Sequence, residues 1–190
     1  MKKFLIILLT LTCAFTLFSC GDDGVSLKDF KSAINATNPA EIEIKIVQET
    51  ANGNLNSEMK TTFAEDGSFV IVGFYELFSA SSSEGKETVS INVSCDANGK
   101  YSDGGEFSGT NPASTGAKLN LGAKKLDYSI SSDGKVLTAN VAAANTKAVL
   151  GVEYAQDVVL VVSINEGKVI SYTMNYTNEF GVVSIVCTYK

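Results

Sequence analysis

Histidine, arginine and tryptophan are absent from the 190 residues, and proline occurs only twice. Without histidine, the commonest general base at neutral pH and the commonest metal ligand are both missing, which excludes Ser-His-Asp, Cys-His and His-metal chemistry. Without arginine there is no bidentate clamp for phosphate or guanine, and the net charge of −6 repels nucleic acid. All 15 basic residues are lysines, set against 21 Asp and Glu. No nucleic-acid partner, no cofactor, no metal and no catalytic residue is expected, so the chain is read as a non-enzyme that works by shape and apolar surface. Its length fits one domain, large enough to bury a core without a metal or disulfide staple.

Long apolar runs are confined to the N-terminus. Met1-Lys2-Lys3 leads into the uncharged stretch from Phe4 to Phe18, the positive and apolar regions of a secretory signal. The run is shorter than the ~20 residues a spanning helix needs, and Asp22 and Asp23 follow it. Leu17-Phe18-Ser19-Cys20 resembles the bacterial lipobox, in which the cysteine is acylated and becomes the new N-terminus. The resemblance implies a signal over residues 1–19, a lipidated tether over 20–25 with palmitate-type chains on Cys20, and one β domain over 26–190. Several acyl chains anchor stably where one is marginal, so the membrane is a partner through lipid. The implied place is the bacterial cell envelope, at the outer membrane or cell surface. Loss of Lys2 and Lys3 leaves 13 Lys against 21 acids, a mature net charge of about −8.

Of four cysteines, Cys13 leaves with the signal and Cys20 carries lipid, so Cys95 and Cys187 remain. They form either a disulfide, closing a loop of roughly 90 residues worth ~4–5 kcal/mol in the chain-entropy model, or two buried thiols packing as small hydrophobes.

Downstream, Ser26 with Asp29 three residues on predicts a capped helix to about Asn35, stopped before Pro39. From Glu41 the pattern alternates with period two, and turn pairs such as Asn52-Gly53, Asp66-Gly67, Asp133-Gly134 and Glu166-Gly167 recur between β-rich segments. The spacing predicts strands near 41–49, 55–64, 68–79, 87–95, 100–108, 124–131, 135–141, 156–165, 168–176 and 181–189. A loop is expected over 109–123, and a second short helix over Ala142 to Leu150 closed by Gly151.

Two segments break the alternation. Ser68 to Phe78 and Asp157 to Ile164 are apolar on both faces, which predicts that both sides are covered or line a cavity. A mainly β fold follows: a long antiparallel meander curled into an incomplete barrel, with a two-sheet sandwich as the alternative. The N-terminal helix, the hairpins from Glu41 and the Ala142–Leu150 helix together resemble the half-barrel carriers of the bacterial envelope, the periplasmic lipoprotein localisation factor and its lipoprotein relatives. That resemblance implies an apolar cavity for a lipid or acyl chain. On this reading Phe69, Ile71, Tyr75 and Leu77, with Val158, Leu160 and Val162, line it. The competing function is a surface-exposed structural or adhesive lipoprotein with a filled core and no small ligand.

Other motifs dissolve on inspection. Ser57 with Lys60, Ser83 with Lys86 and Ser132 with Lys135 match the Ser-x-x-Lys spacing, but they fall on a strand or on turns, where serine and lysine do not meet as they do one helical turn apart. Asp96 to Gly99 and Tyr101 to Glu106 lack the oxygen-ligand spacing of a calcium loop and read as turns. Tyr172, Met174 and Tyr176 alternate on one strand face and read as packing.

Overall fold

The computed structural model describes residues 25–79, 85–98, 101–102 and 119–190. The signal, Cys20 and the tether up to Gly24 lie outside the described residues, as do Ser83 and most of 100–108 and 109–123. Helix α1 (Leu27–Ala36) forms where predicted: the Ser26 N–H and hydroxyl both donate to Asp29 Oδ2, at 2.6 and 2.8 Å. Those bonds and the helix N-terminus hold the Asp29 carboxyl below its ordinary range. Phe30 and Ala33 lie on its buried face.

Nine antiparallel strands follow among the described residues: β1 (Glu41–Thr50), β2 (Gly53–Phe63), β3 (Phe69–Phe78), β4 (Lys86–Cys95), β5 (Asp127–Ile130), β6 (Val136–Val141), β7 (Val158–Asn165), β8 (Lys168–Asn178) and β9 (Gly181–Tyr189). Turn chemistry sets the hairpins. Asp66 Oδ1 accepts from the Ser68 N–H, Asp133 Oδ1 from the Lys135 N–H, and Asn178 Oδ1 from the N–H groups of Phe180 and Gly181. Between β6 and β7 the alanine-rich segment makes a 3₁₀ turn (Ala143–Asn145) and the five-residue helix α2 (Thr146–Leu150), ended by Gly151 in the left-handed conformation. Thr146 ties this insert down, donating to Ala143 O and accepting from the Tyr154 N–H, both at 2.9 Å.

All nine strands form one sheet in the order β4-β3-β2-β1-β9-β8-β7-β6-β5. The chain meanders outward from β1 to β4, crosses to β5 at the far edge, and meanders back until β9 pairs with β1. Among the described residues the sheet is therefore open between β4 and β5 and is not closed into a barrel. The sandwich alternative does not form, because the two halves are joined through the β1–β9 ladder over its length. Only a single bridge, Cys95 to Tyr101, marks the start of the expected strand over 100–108 within the described residues.

One face of the sheet is the inner face. Helix α1 lies across it on β8 and β7, held at its C-terminal end by Thr37, whose hydroxyl donates to Ala33 O (2.7 Å) and accepts from the Val169 N–H (2.8 Å). Phe30, Ile42, Ile44, Leu137, Leu160, Val162, Tyr172 and Met174 make the core beneath it. The outer faces of β1 and β2, with Lys190 just past the end of β9, carry the ion pairs Lys45–Glu58 (3.2 Å), Lys60–Glu41 (2.6 Å) and Lys190–Glu43 (2.5 Å).

The doubly apolar strands require a correction. Their outer faces are not covered: Val70 and Val72 on β3 are 43% and 41% exposed, and Val159 on β7 is 39% exposed. Ladder neighbours explain why this is tolerated. Val70 and Val72 stand between Thr62 and Lys60 on β2 and Ser94 and Asn92 on β4, so the apolar stripe is one strand wide and its flanks are polar.

Candidate functional site

The inner face can be read row by row across the half-sheet β1–β4. The row Ile42–Thr61–Ile71–Val93 is buried throughout, at 1%, 1%, 0% and 7% exposure. Below it, Phe63 and Phe69 stack at 5.9 Å and Phe69 meets Tyr101 at 6.2 Å, closing that end. Above it, Ile44–Met59–Gly73–Ile91 is the transitional row. Next comes Ile46–Ser57–Tyr75–Val89, with Leu77 beyond Tyr75. Here Tyr75 is 37% and Leu77 38% exposed, while Ile46, Leu55 and Val89 are half-buried.

Gly73 marks the threshold. It contributes no side chain to the inner face, and a Cβ placed there would stand 2.0 Å from the Glu58 carbonyl oxygen. Strand β3 can press this closely on β2 only at glycine, and such contacts bend a sheet. On the outer side of the sheet at this close approach lies a shallow depression of about 280 Å³ whose walls include Lys45, Glu58 and Lys60. The Lys45–Glu58 pair lies within it.

The seven residues expected to line a cavity divide into three sets. Val158, Leu160 and Val162 are 1%, 0% and 0% exposed and belong to the core under α1; Ile71 is likewise fully buried. These four are packing residues, because α1 covers the half-sheet that carries the first three. Phe69 belongs to the aromatic closure. Only Tyr75 and Leu77 remain on an accessible apolar surface. Ile46, Leu55, Val89 and Ile91, which share that surface, were not singled out from sequence. Their alternation was visible, but which strands lie side by side was not.

Cys95 and Cys187 are buried free thiols and do not form a disulfide. They stand on β4 and β9, with β3, β2 and β1 between them in the sheet, so no ladder brings their Cα atoms within the ~7 Å a disulfide needs. Burial pushes the Cys187 thiol up to about 11, which leaves it unreactive at neutral pH. It sits among tyrosines: Tyr172 and Tyr189 lie 6.1 Å apart, and burial raises both phenols far above their ordinary value. Sulfur is a weak acceptor, and the Tyr189 hydroxyl has no hydrogen-bond partner among the described residues. The Thr61 hydroxyl, buried in the other half-sheet on β2, also lacks one. Tyr172 and Met174 are core, and Tyr176 packs on Tyr154 with ring centroids 5.0 Å apart.

Among the described residues no cluster of three or more acidic or cysteine side chains is arranged to hold a metal ion, and no helix is long and apolar enough to cross a membrane. Ser57 faces inward and Lys60 outward on β2, so that Ser-x-x-Lys pair is divided by the sheet.

No family model matches the chain, and no curated protein matches it. Among solved structures, LprF from Mycobacterium bovis is similar at 13% identity and a TM-score of 0.48, the likeness covering 85% of this chain and 90% of that one.

Proposed function

We propose that this protein is a lipid-anchored lipoprotein of the bacterial envelope that binds an acyl chain or lipid on the open part of its inner sheet face, without turnover. One observation carries the reading. The inner face continues largely apolar from the core past the cover of α1, interrupted by Ser57 and Gln48, so that Tyr75 and Leu77 stay partly exposed between half-buried Ile46, Leu55 and Val89. A sheet face that is finished with apolar side chains yet left uncovered is suited to an apolar guest. No lysine stands on these inner rows, and Glu87 at their margin is the one charge among the described residues there, so the hydrocarbon part of the ligand dominates the contact. Cys20, carried by the lipobox pattern, supplies the anchor.

Native mass spectrometry of residues 21–190, with palmitate as the added probe, tests this. The expected result is a 1:1 adduct whose affinity falls tenfold or more in Leu77→Glu, since burying one Leu is worth ~1.5–3 kcal/mol and 1.4 kcal/mol is tenfold. No adduct with palmitate or any co-purified lipid would overturn the binding reading and favour the filled-core structural lipoprotein.

A further inference from the structure

Val25, the first described residue after the proposed anchor, and the open apolar surface lie at opposite ends of the domain, separated by more than the contour length of the tether. Helix α1 begins beside the β5–β6 turn: Val25 packs so closely on Gly134 that a Cβ there would stand 2.4 Å from Val25 Cγ2. That turn lies two residues below the row Val136–Ser163–Ser171–Thr188–Glu43, at the end of the sheet where β1 starts. The C-terminal end of α1 is pinned at the same end through Thr37 and Val169. The apolar rim is at the other end. Tyr75 is in the Ile46 row, Leu77 and Phe78 (41% exposed) lie further up β3, and Phe180, 64% exposed on the β8–β9 turn, lies just beyond the Thr50–Gly181 row.

From Gly134 to Phe180 is about ten residues of strand, roughly 30 Å at the rise of a β-strand. The tether is Gly21 to Gly24, between Cys20 and Val25. Fully extended, the five Cα steps from Cys20 to Val25 span at most ~16–18 Å. A tether of that length cannot let the domain stand inverted, with its rim on the bilayer that holds Cys20 and Val25 ~30 Å above it; rim contact would require the domain to lie on its side. Charge acts in the same direction, because exposed Glu49, Glu87 and Glu179 flank the rim and repel anionic headgroups.

We infer that the lipid anchor presents the apolar rim away from its own membrane, so that the groove takes its acyl chain from a donor on the far, aqueous side and not from the bilayer beneath. This rests on the proposed acylation of Cys20 and on the proposed groove. The absence of tryptophan makes the test clean, since one introduced Trp, excited at wavelengths where the seven tyrosines do not absorb, is the sole donor for energy transfer. Full-length acylated protein carrying Phe180→Trp or Ser132→Trp, both at exposed positions, is reconstituted in phosphatidylcholine vesicles containing dansyl-phosphatidylethanolamine. Transfer from Trp at 132 should be several-fold more efficient than from Trp at 180, and a twenty-residue Gly/Ser insertion after Gly24 should narrow the difference. Equal transfer from both positions with the native tether would overturn the inference while leaving anchoring intact. Failure of the protein to float with the vesicles would instead remove the anchor, and the inference with it. Palmitate binding by residues 21–190 reports separately on the groove.

Discussion

Two threonines, equally buried and differently partnered, allow one substitution to be predicted with opposite signs. Thr61 is 1% exposed and its hydroxyl has no partner among the described residues; Thr146 is 0% exposed and its hydroxyl bonds to Ala143 O and the Tyr154 N–H. Valine replaces threonine with nearly the same shape and a comparable preference for strands. At position 61 the change removes a buried hydroxyl whose desolvation costs ~1–3 kcal/mol and breaks nothing. Thr61→Val should therefore stabilise by about 1 kcal/mol, raising Tm by roughly 2–4 °C for a domain of this size. At position 146 the same change strands the Tyr154 N–H and frees the α2 insert from its anchor. Thr146→Val should cost about 2–3 kcal/mol. Urea unfolding of residues 21–190, followed by far-UV circular dichroism because there is no tryptophan, measures both, with an unchanged m-value as the check that the unfolded state is the same. If Thr61→Val destabilises as much as Thr146→Val, the Thr61 hydroxyl has a partner, such as buried water, and the reasoning fails.

The Gly73 bend gives another test: Gly73→Ala places a Cβ against backbone that cannot step aside, and should cost about 2–3 kcal/mol in the same unfolding assay, whereas wild-type stability would show that β3 and β2 can separate freely. Alkali probes the tyrosine and thiol cluster. Burial raises the Cys187 thiol from 9.0 to about 11 and raises Tyr172 and Tyr189 above 10.0, so the folded state keeps protons that the unfolded state releases. Their contribution is complete below pH 9 and is lost as pH rises from 9 through 11. Unfolding free energy should accordingly fall between pH 8 and pH 10.5, with a flatter early part in Cys187→Val; a constant value would contradict the burial.

Much of the fold was legible because its signals are local. Ser26 and Asp29 meet within one helical turn, Asp66, Asp133 and Asn178 bond their own turns, and the alternation from Glu41 to Ile46 sorts inner from outer side chains without reference to any other strand. The doubly apolar reading of β3 and β7 was less successful, because a strand pattern states only what each face carries. Whether a face is covered depends on neighbours far away in the chain.

The sequence by itself determined the excluded chemistries, the mainly β antiparallel fold, the capped N-terminal helix and nearly every turn, all properties of residue types or of contacts within a few residues. Tertiary structure alone decided that β9 closes on β1, that α1 covers β7 and β8, and that the cysteines stand too far apart to pair. It also decided that Val158, Leu160 and Val162 are core while Tyr75 and Leu77 remain accessible. Both groups are apolar and recur with the same period of two. What separates them is a helix lying over one half of the sheet, tied by Thr37 to Val169 132 residues away, and no local pattern encodes a contact of that range.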